Sequence, residues 1–162
     1  MCGSISIPFR SNKQVVLKGR HRQMPALSMS LANEQATEQL GAVLAARLNP
    51  GDVVGLKGPL GSGKTTLARA ILRAAAGDPE LIVPSPTFTL VEVYDTPTGT
   101  YWHFDLYRLE TAEQVYELGW EEALAGGIVL VEWPERLGRL LPRHLSVALE
   151  MDGDGRKAQL DV

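Results

Sequence analysis

The chain has 162 residues, 44% hydrophobic and 22% charged, enough apolar material for one globular domain with a real core. Its net charge of −3 excludes a basic nucleic-acid coat and an acidic solvating tail, and its single cysteine, Cys2, excludes an intrachain disulfide and a cysteine-based zinc site. No apolar run approaches the ~20 residues that span a bilayer, so a soluble, cytoplasmic protein with no membrane and no DNA contact is expected.

The charge is unevenly spread. Residues 1–27 carry Arg10, Lys13, Lys18, Arg20 and Arg22 and no acid, while 28–162 hold the other 11 basic side chains against all 19 acidic ones. This basic leader lacks the continuous apolar stretch of a secretory signal. It reads as a disordered or non-native leader, with an organelle transit peptide as the alternative, and 28–162 reads as the working domain. From Leu31 the residues Ala36, Leu40, Val43, Leu44 and Leu48 recur at helical spacing, and Asn49-Pro50-Gly51-Asp52 stops the helix. Asp52 to Lys57 predicts a strand, and a glycine-rich turn leads into a helix over Thr65 to Ala76. After Pro84-Ser85-Pro86, two β-rich runs, Thr87 to Tyr94 and Thr100 to Tyr107, flank a Pro97/Gly99 turn and predict an antiparallel pair. A polar helix is expected at Ala112 to Leu118. Gly126-Gly127 then opens Ile128 to Val131, whose unbroken apolar run predicts a buried central strand. A short helix near Glu135 to Leu141 follows, and Leu145 to Glu150 with Lys157 to Val162 flank Asp152-Gly153-Asp154-Gly155 as a closing hairpin. No internal repeat interrupts this single α/β pattern.

Gly58-Pro59-Leu60-Gly61-Ser62-Gly63-Lys64-Thr65 fits G-x-x-x-x-G-K-[ST] in full, after a strand and opening a helix. Such a loop wraps its backbone N–H groups around phosphate oxygens, and the helix N-terminus adds positive potential. In this reading Lys64, on an exposed loop, bridges the β- and γ-phosphates, Thr65 offers its hydroxyl to Mg²⁺, and Thr66 lies against the α-phosphate. A phosphate-transferring loop also needs a carboxylate at a strand end for the metal or the attacking water. Glu132, ending the central strand, is the first choice; Asp105, after Tyr101-Trp102-His103-Phe104, is the second.

Spacing alone says less of the remaining residues. Ser85-Pro86-Thr87 reads as turn punctuation, with a phosphate-sensing loop as the alternative. His103 among aromatics reads as structural rather than as a proton carrier. Arg108 is a charge-stabilising finger or an ordinary ion-pair partner, and Trp133 is core or a partner surface. Asp52-Val53-Val54-Gly55 precedes the glycine-rich loop where a GTPase D-x-x-G would follow it, and Asn12-Lys13-Gln14-Val15 lacks the guanine-reading acid. Guanine specificity has no support.

With these residues in place, the chain resembles the bacterial TsaE (YjeE) family from about Ser28 onward. The series Gly58 to Thr66, Ser85-Pro86-Thr87-Phe88, His103-Phe104-Asp105-Leu106-Tyr107-Arg108-Leu109 and Val131-Glu132-Trp133-Pro134-Glu135 occurs in family order. The resemblance implies an ATPase that hydrolyses Mg-ATP to reset the TsaB and TsaD proteins between turnovers. Those proteins make threonylcarbamoyladenosine beside the tRNA anticodon, so tRNA is met only through the complex. It also implies phosphate and Mg²⁺ binding by Lys64 and Thr65, a switch-like role for Thr87, and a place near nucleotide or partner for Asp105, Glu132 and Trp133, with Trp133-Pro134 expected to be exposed. Pro59 departs from the family, which usually has an acid there, and proline removes one loop N–H.

The expected fold is a three-layer P-loop α/β domain, mostly parallel, with antiparallel strands added and an extra N-terminal helix. The expected nucleotide-binding set is Gly58, Leu60, Gly61, Ser62, Gly63, Lys64, Thr65, Thr66, Thr87 and Trp133. Lys64, Asp105 and Glu132 serve the chemistry, and Thr65 and Glu132 the metal. Two rivals are a small-molecule kinase, for which no Arg cluster supplies a lid, and an interaction module with incidental hydrolysis.

Overall fold

The computed structural model describes residues 27–161. The basic leader, apart from Leu27, and the hairpin's last residue, Val162, lie outside them. The chain runs β1 (Leu27–Leu31), α1 (Glu34–Ala45), β2 (Val53–Lys57), α2 (Lys64–Ala76), β3 (Val91–Thr96), β4 (Gly99–Asp105), a 3₁₀ segment (Ala112–Leu118), α3 (Trp120–Gly126), β5 (Ile128–Glu132), a second 3₁₀ segment (Pro134–Leu140), β6 (Leu145–Asp152) and β7 (Gly155–Asp161). The seven strands form one sheet in the order β1-β7-β6-β2-β5-β4-β3. The four middle strands are parallel to one another, and the antiparallel pairs β1–β7, β6–β7 and β3–β4 extend both sides.

β5 is buried at all five positions, as an apolar run covered on both faces must be. Alternation then sorts the side chains. Val54, Leu56, Ile128, Leu130 and Val147 pack against Leu40 and Leu44 of α1 and Leu67, Ile71 and Leu72 of α2. Val53, Val129, Val131 and Phe104 face the opposite way, onto Val115, Trp120, Ala123 and Leu137. The result is the three expected layers.

Three expectations change, and one helix is added. The first helix does not begin at Leu31: Asn33 caps it by accepting from the Ala36 N–H at 2.9 Å, and Leu27–Leu31 forms β1 against β7. The third strand starts at Val91, not Thr87, because Pro86 to Leu90 close a turn through Leu90 N–H to Pro86 O at 2.7 Å. The polar helix at Ala112–Leu118 is 3₁₀, with Thr111 and Gln114 forming a capping box. α3 is absent from the sequence reading.

α1 meets α2 closely at Gly41. A Cβ there would lie 2.5 Å from Ala70 Cβ and 2.8 Å from the Ala70 backbone, so the helices sit together only without a side chain. Gly41→Val is expected to cost about 1–3 kcal/mol by overpacking. The same change at exposed Glu38 should stay within about 0.5 kcal/mol. Denaturant unfolding of both variants checks this, and equal midpoints would mean that the helices can separate at no cost.

Candidate nucleotide-binding site

The loop 58–63 leaves the carboxyl end of β2 and enters α2 at Gly63, which caps the helix at φ 101°. Gly58, at φ 143°, has no room for a side chain: a Cβ would meet Leu149 O at 2.3 Å and Ser62 Oγ at 2.5 Å. Ser62 is fully buried and its Oγ has no hydrogen-bond partner among the described residues. Leu60 is 68% exposed and turns its side chain to solvent, so only its backbone can serve the loop. The Pro59 carbonyl still works within the loop, accepting from Ser62 N–H at 3.2 Å and from Lys64 Nζ at 2.8 Å.

Lys64 is not exposed, contrary to the sequence reading; it is the first residue of α2 and only 5% accessible. Its ammonium also donates to Gly58 O at 2.7 Å and lies 4.3 Å from the centre of the Trp133 ring. Burial pulls its pKa below the ordinary 10.5, opposed by the charges of Glu132, Asp105 and Glu135.

The carboxylates reach the loop through strand register. Asp105 of β4 is paired with Glu132 of β5, and His103 with Leu130. His103, Asp105 and Glu132 therefore share the sheet face that carries α2. Thr65 Oγ1 donates to Glu132 Oε1 at 2.8 Å, and His103 Nε2 stands 2.7 Å from Glu132 Oε2. Asp105 serves the neighbouring loop instead, accepting from Thr87 Oγ1 at 3.0 Å and from Tyr107 N–H at 3.1 Å. Because Thr87 spends its proton on Asp105, Ser85 Oγ, 2.8 Å away, donates to Thr87.

Two non-glycine residues with positive φ flank the site: Leu90 at 68° after the Thr87 turn, and Trp133 at 60° after β5. An L-residue held there costs roughly 1–2 kcal/mol, and at Trp133 the bend brings the ring over Lys64 and 4.9 Å from the ring of Tyr107. Trp133 is half-buried and packs against the second core cluster, while Pro134 is buried. The expected exposed Trp-Pro segment is thus corrected.

The structure brings Lys64, Thr65, Thr87, Asp105, Glu132 and Trp133 together around the loop. Thr66, the next residue of α2, also lines a cavity of about 350 Å³ with Glu34, Glu38, Arg69 and Arg73. Arg108 stacks on exposed Phe88, 4.3 Å from ring centre to Cζ. Two contributors were missed. His103 reaches Glu132, a contact that the shared alternation of His103 and Asp105 could have suggested. Arg156 of β7 donates through Nη2 to Gly61 O at 3.1 Å, and no local signal announces it, since only the β2–β6 pairing carries the hairpin to the loop.

The orphaned Ser62 hydroxyl, the tight cradle at Gly58 and the buried Lys64 fit a nucleotide phosphate. The oxygens of Thr65 and Glu132 are the donor type that a hard divalent cation takes. Strand, glycine-rich loop and helix on a parallel-centred sheet define a P-loop NTPase fold. Bacillus subtilis YdiB, a solved crystal structure, superposes with a TM-score of 0.69 at 25% identity, covering 88% of each chain.

Residues 31–159 match the family described as threonylcarbamoyl adenosine biosynthesis protein TsaE, and the chain belongs to that family. A tRNA threonylcarbamoyladenosine biosynthesis protein TsaE of Rickettsia felis is 44% identical over 128 residues, 78% of this chain and 74% of its own length. The protein of the same name from Bacillus subtilis is 33% identical over 136 residues, 83% of this chain and 84% of its own. Among the described residues no helix is long and apolar enough to cross a membrane.

Proposed function

We propose that this protein is a cytoplasmic ATPase whose working domain, about residues 28–162, binds and hydrolyses Mg-ATP to support TsaB and TsaD in making threonylcarbamoyladenosine on tRNA. The observation that carries this reading is the 2.8 Å bond from Thr65 to Glu132: it joins the hydroxyl beside the loop lysine to a strand-end carboxylate, the two oxygen donors a Mg²⁺-phosphate needs. Lys64 binds the β- and γ-phosphates, exchanging its bonds to the Gly58 and Pro59 carbonyls for phosphate oxygens. The backbone from Gly58 to Gly63 holds the phosphate oxygens through its N–H groups. Glu132, with Thr65, holds the Mg²⁺, which when bound draws charge from the phosphates. Asp105, tied to Thr87, carries the state of the Thr87 turn to the site and orients the attacking water. Trp133 closes the site over Lys64.

Nothing in this set supplies a mobile cation for the transition state beyond Lys64, so the isolated protein should turn over slowly and depend on its partners. The test is incubation with ATP and Mg²⁺, alone and with the TsaB–TsaD pair. Slow phosphate release that the pair accelerates is the expected result. Phosphate passed to a small-molecule hydroxyl would instead make the protein a kinase, and ATP left intact under both conditions would make it an interaction module.

A further inference from the structure

His103 is fully buried on β4, and its two ring nitrogens have different surroundings. Nε2 lies 2.7 Å from Glu132 Oε2, whereas Nδ1 is buried without a hydrogen-bond partner among the described residues. A ring proton on Nδ1 would strand a buried donor and set the Nε2 lone pair against a carboxylate oxygen. A proton on Nε2 leaves one acceptor unpaired and makes a charge-assisted bond. Donor counting therefore places a ring proton on Nε2, donated to Glu132 Oε2.

That choice bears on Glu132. With Oε2 committed to the imidazole on the buried side, Oε1 is the oxygen left for Thr65, at 2.8 Å. The geometry points to His103 as the positioning residue of Glu132, a buried donor that fixes which carboxylate oxygen faces the phosphate loop. This inference rests on the nucleotide-site reading above, and it assigns a role to a side chain that touches neither loop nor phosphate. Partners of this kind typically hold about 10- to 100-fold in metal affinity.

The test compares His103→Gln, His103→Asn and His103→Leu. Glutamine places an amide N–H near the position of Nε2, asparagine stops short near Nδ1, and leucine has no donor. Binding of a non-hydrolysable ATP analogue is measured by calorimetry with Mg²⁺ and with a chelator. His103→Leu and His103→Asn should lose about 10-fold or more of the Mg²⁺-dependent gain in affinity while chelator affinity stays near the parental value, and His103→Gln should keep most of the gain. The full gain in the leucine variant, or no difference between glutamine and asparagine, overturns the proposal. If leucine fails to fold, the glutamine–asparagine pair decides. The ring nitrogen shifts of His103 in the free parental protein give an independent readout: an Nε2 without a proton overturns the proposal whether or not nucleotide binds. A parent that binds no nucleotide, with its proton on Nε2, overturns the nucleotide reading and leaves the orientation of Glu132 standing.

Discussion

Lys64→Met should abolish nucleotide turnover and leave the protein about as stable as the parent, or more so. The ammonium is buried beside the Trp133 ring and held by two loop carbonyls, a geometry that places positive charge where phosphate would sit. Losing one preorganised charge at such a position typically costs about 100-fold or more in rate. The stability effect has the opposite sign. Burial lowers the folded pKa of Lys64 below 10.5, so between the lowered value and 10.5 the unfolded chain binds a proton that the folded one does not. The parent's stability therefore rises with pH through that window, and below it the folded chain bears the full cost of burying the charge. Methionine removes that cost and keeps the hydrophobic stem. The freed Gly58 and Pro59 carbonyls lie at partly exposed positions where water can reach them. Phosphate release and thermal melts at neutral and alkaline pH check both halves: parental turnover would remove Lys64 from the site, and a large loss of melting temperature would make it a structural residue.

Glu132→Gln should reduce hydrolysis about 100-fold while weakening nucleotide binding far less. The amide keeps the shape of the side chain: its oxygen can accept from His103, and its NH₂ can face the Thr65 hydroxyl, which also accepts. Charge is what disappears, and with it the anionic oxygen that the proposed Mg²⁺ would take. Asp105→Asn is the matched control. Because Asp105 holds Thr87 and the Tyr107 N–H, its amide variant should loosen the Thr87 turn and lower the rate more modestly. A severe loss in the Asp105 variant with none in the Glu132 variant would exchange their roles.

What could be read in advance depended on how local the physics was. The glycine-rich motif, the unbroken apolar run of β5 and the Asp152–Gly155 turn each carry their own conformation, and each element was found where expected. β1 also left a signal, since Leu27, Met29 and Leu31 alternate with two serines, but the helical spacing that begins at Leu31 masked it. The turn at 86–90 depends on Leu90 adopting a left-handed conformation that its side chain does not favour, which only the bond from Asp105 N–H to Leu90 O and the surrounding strands impose. The same split runs through the site. Lys64, Thr65 and Glu132 were legible from the motif and from strand ends, whereas the burial of Lys64, the ring of Trp133 above it and the guanidinium of Arg156 arise from packing between distant segments.

The position of β2 governs the order in which the protein can be made. β2 feeds the phosphate loop, yet its neighbours in the sheet are β5 and β6, with Val54 matched to Leu130 on one side and to Leu145 on the other. A growing chain synthesised from its N-terminus thus presents the complete loop sequence long before either flank of β2 exists, and until then the strand has two open edges. Such distant pairings slow folding, and the bond from Arg156 to Gly61 comes later still. A nascent or prematurely terminated chain that ends before β5 therefore contains every residue of the motif but lacks both strands that flank β2.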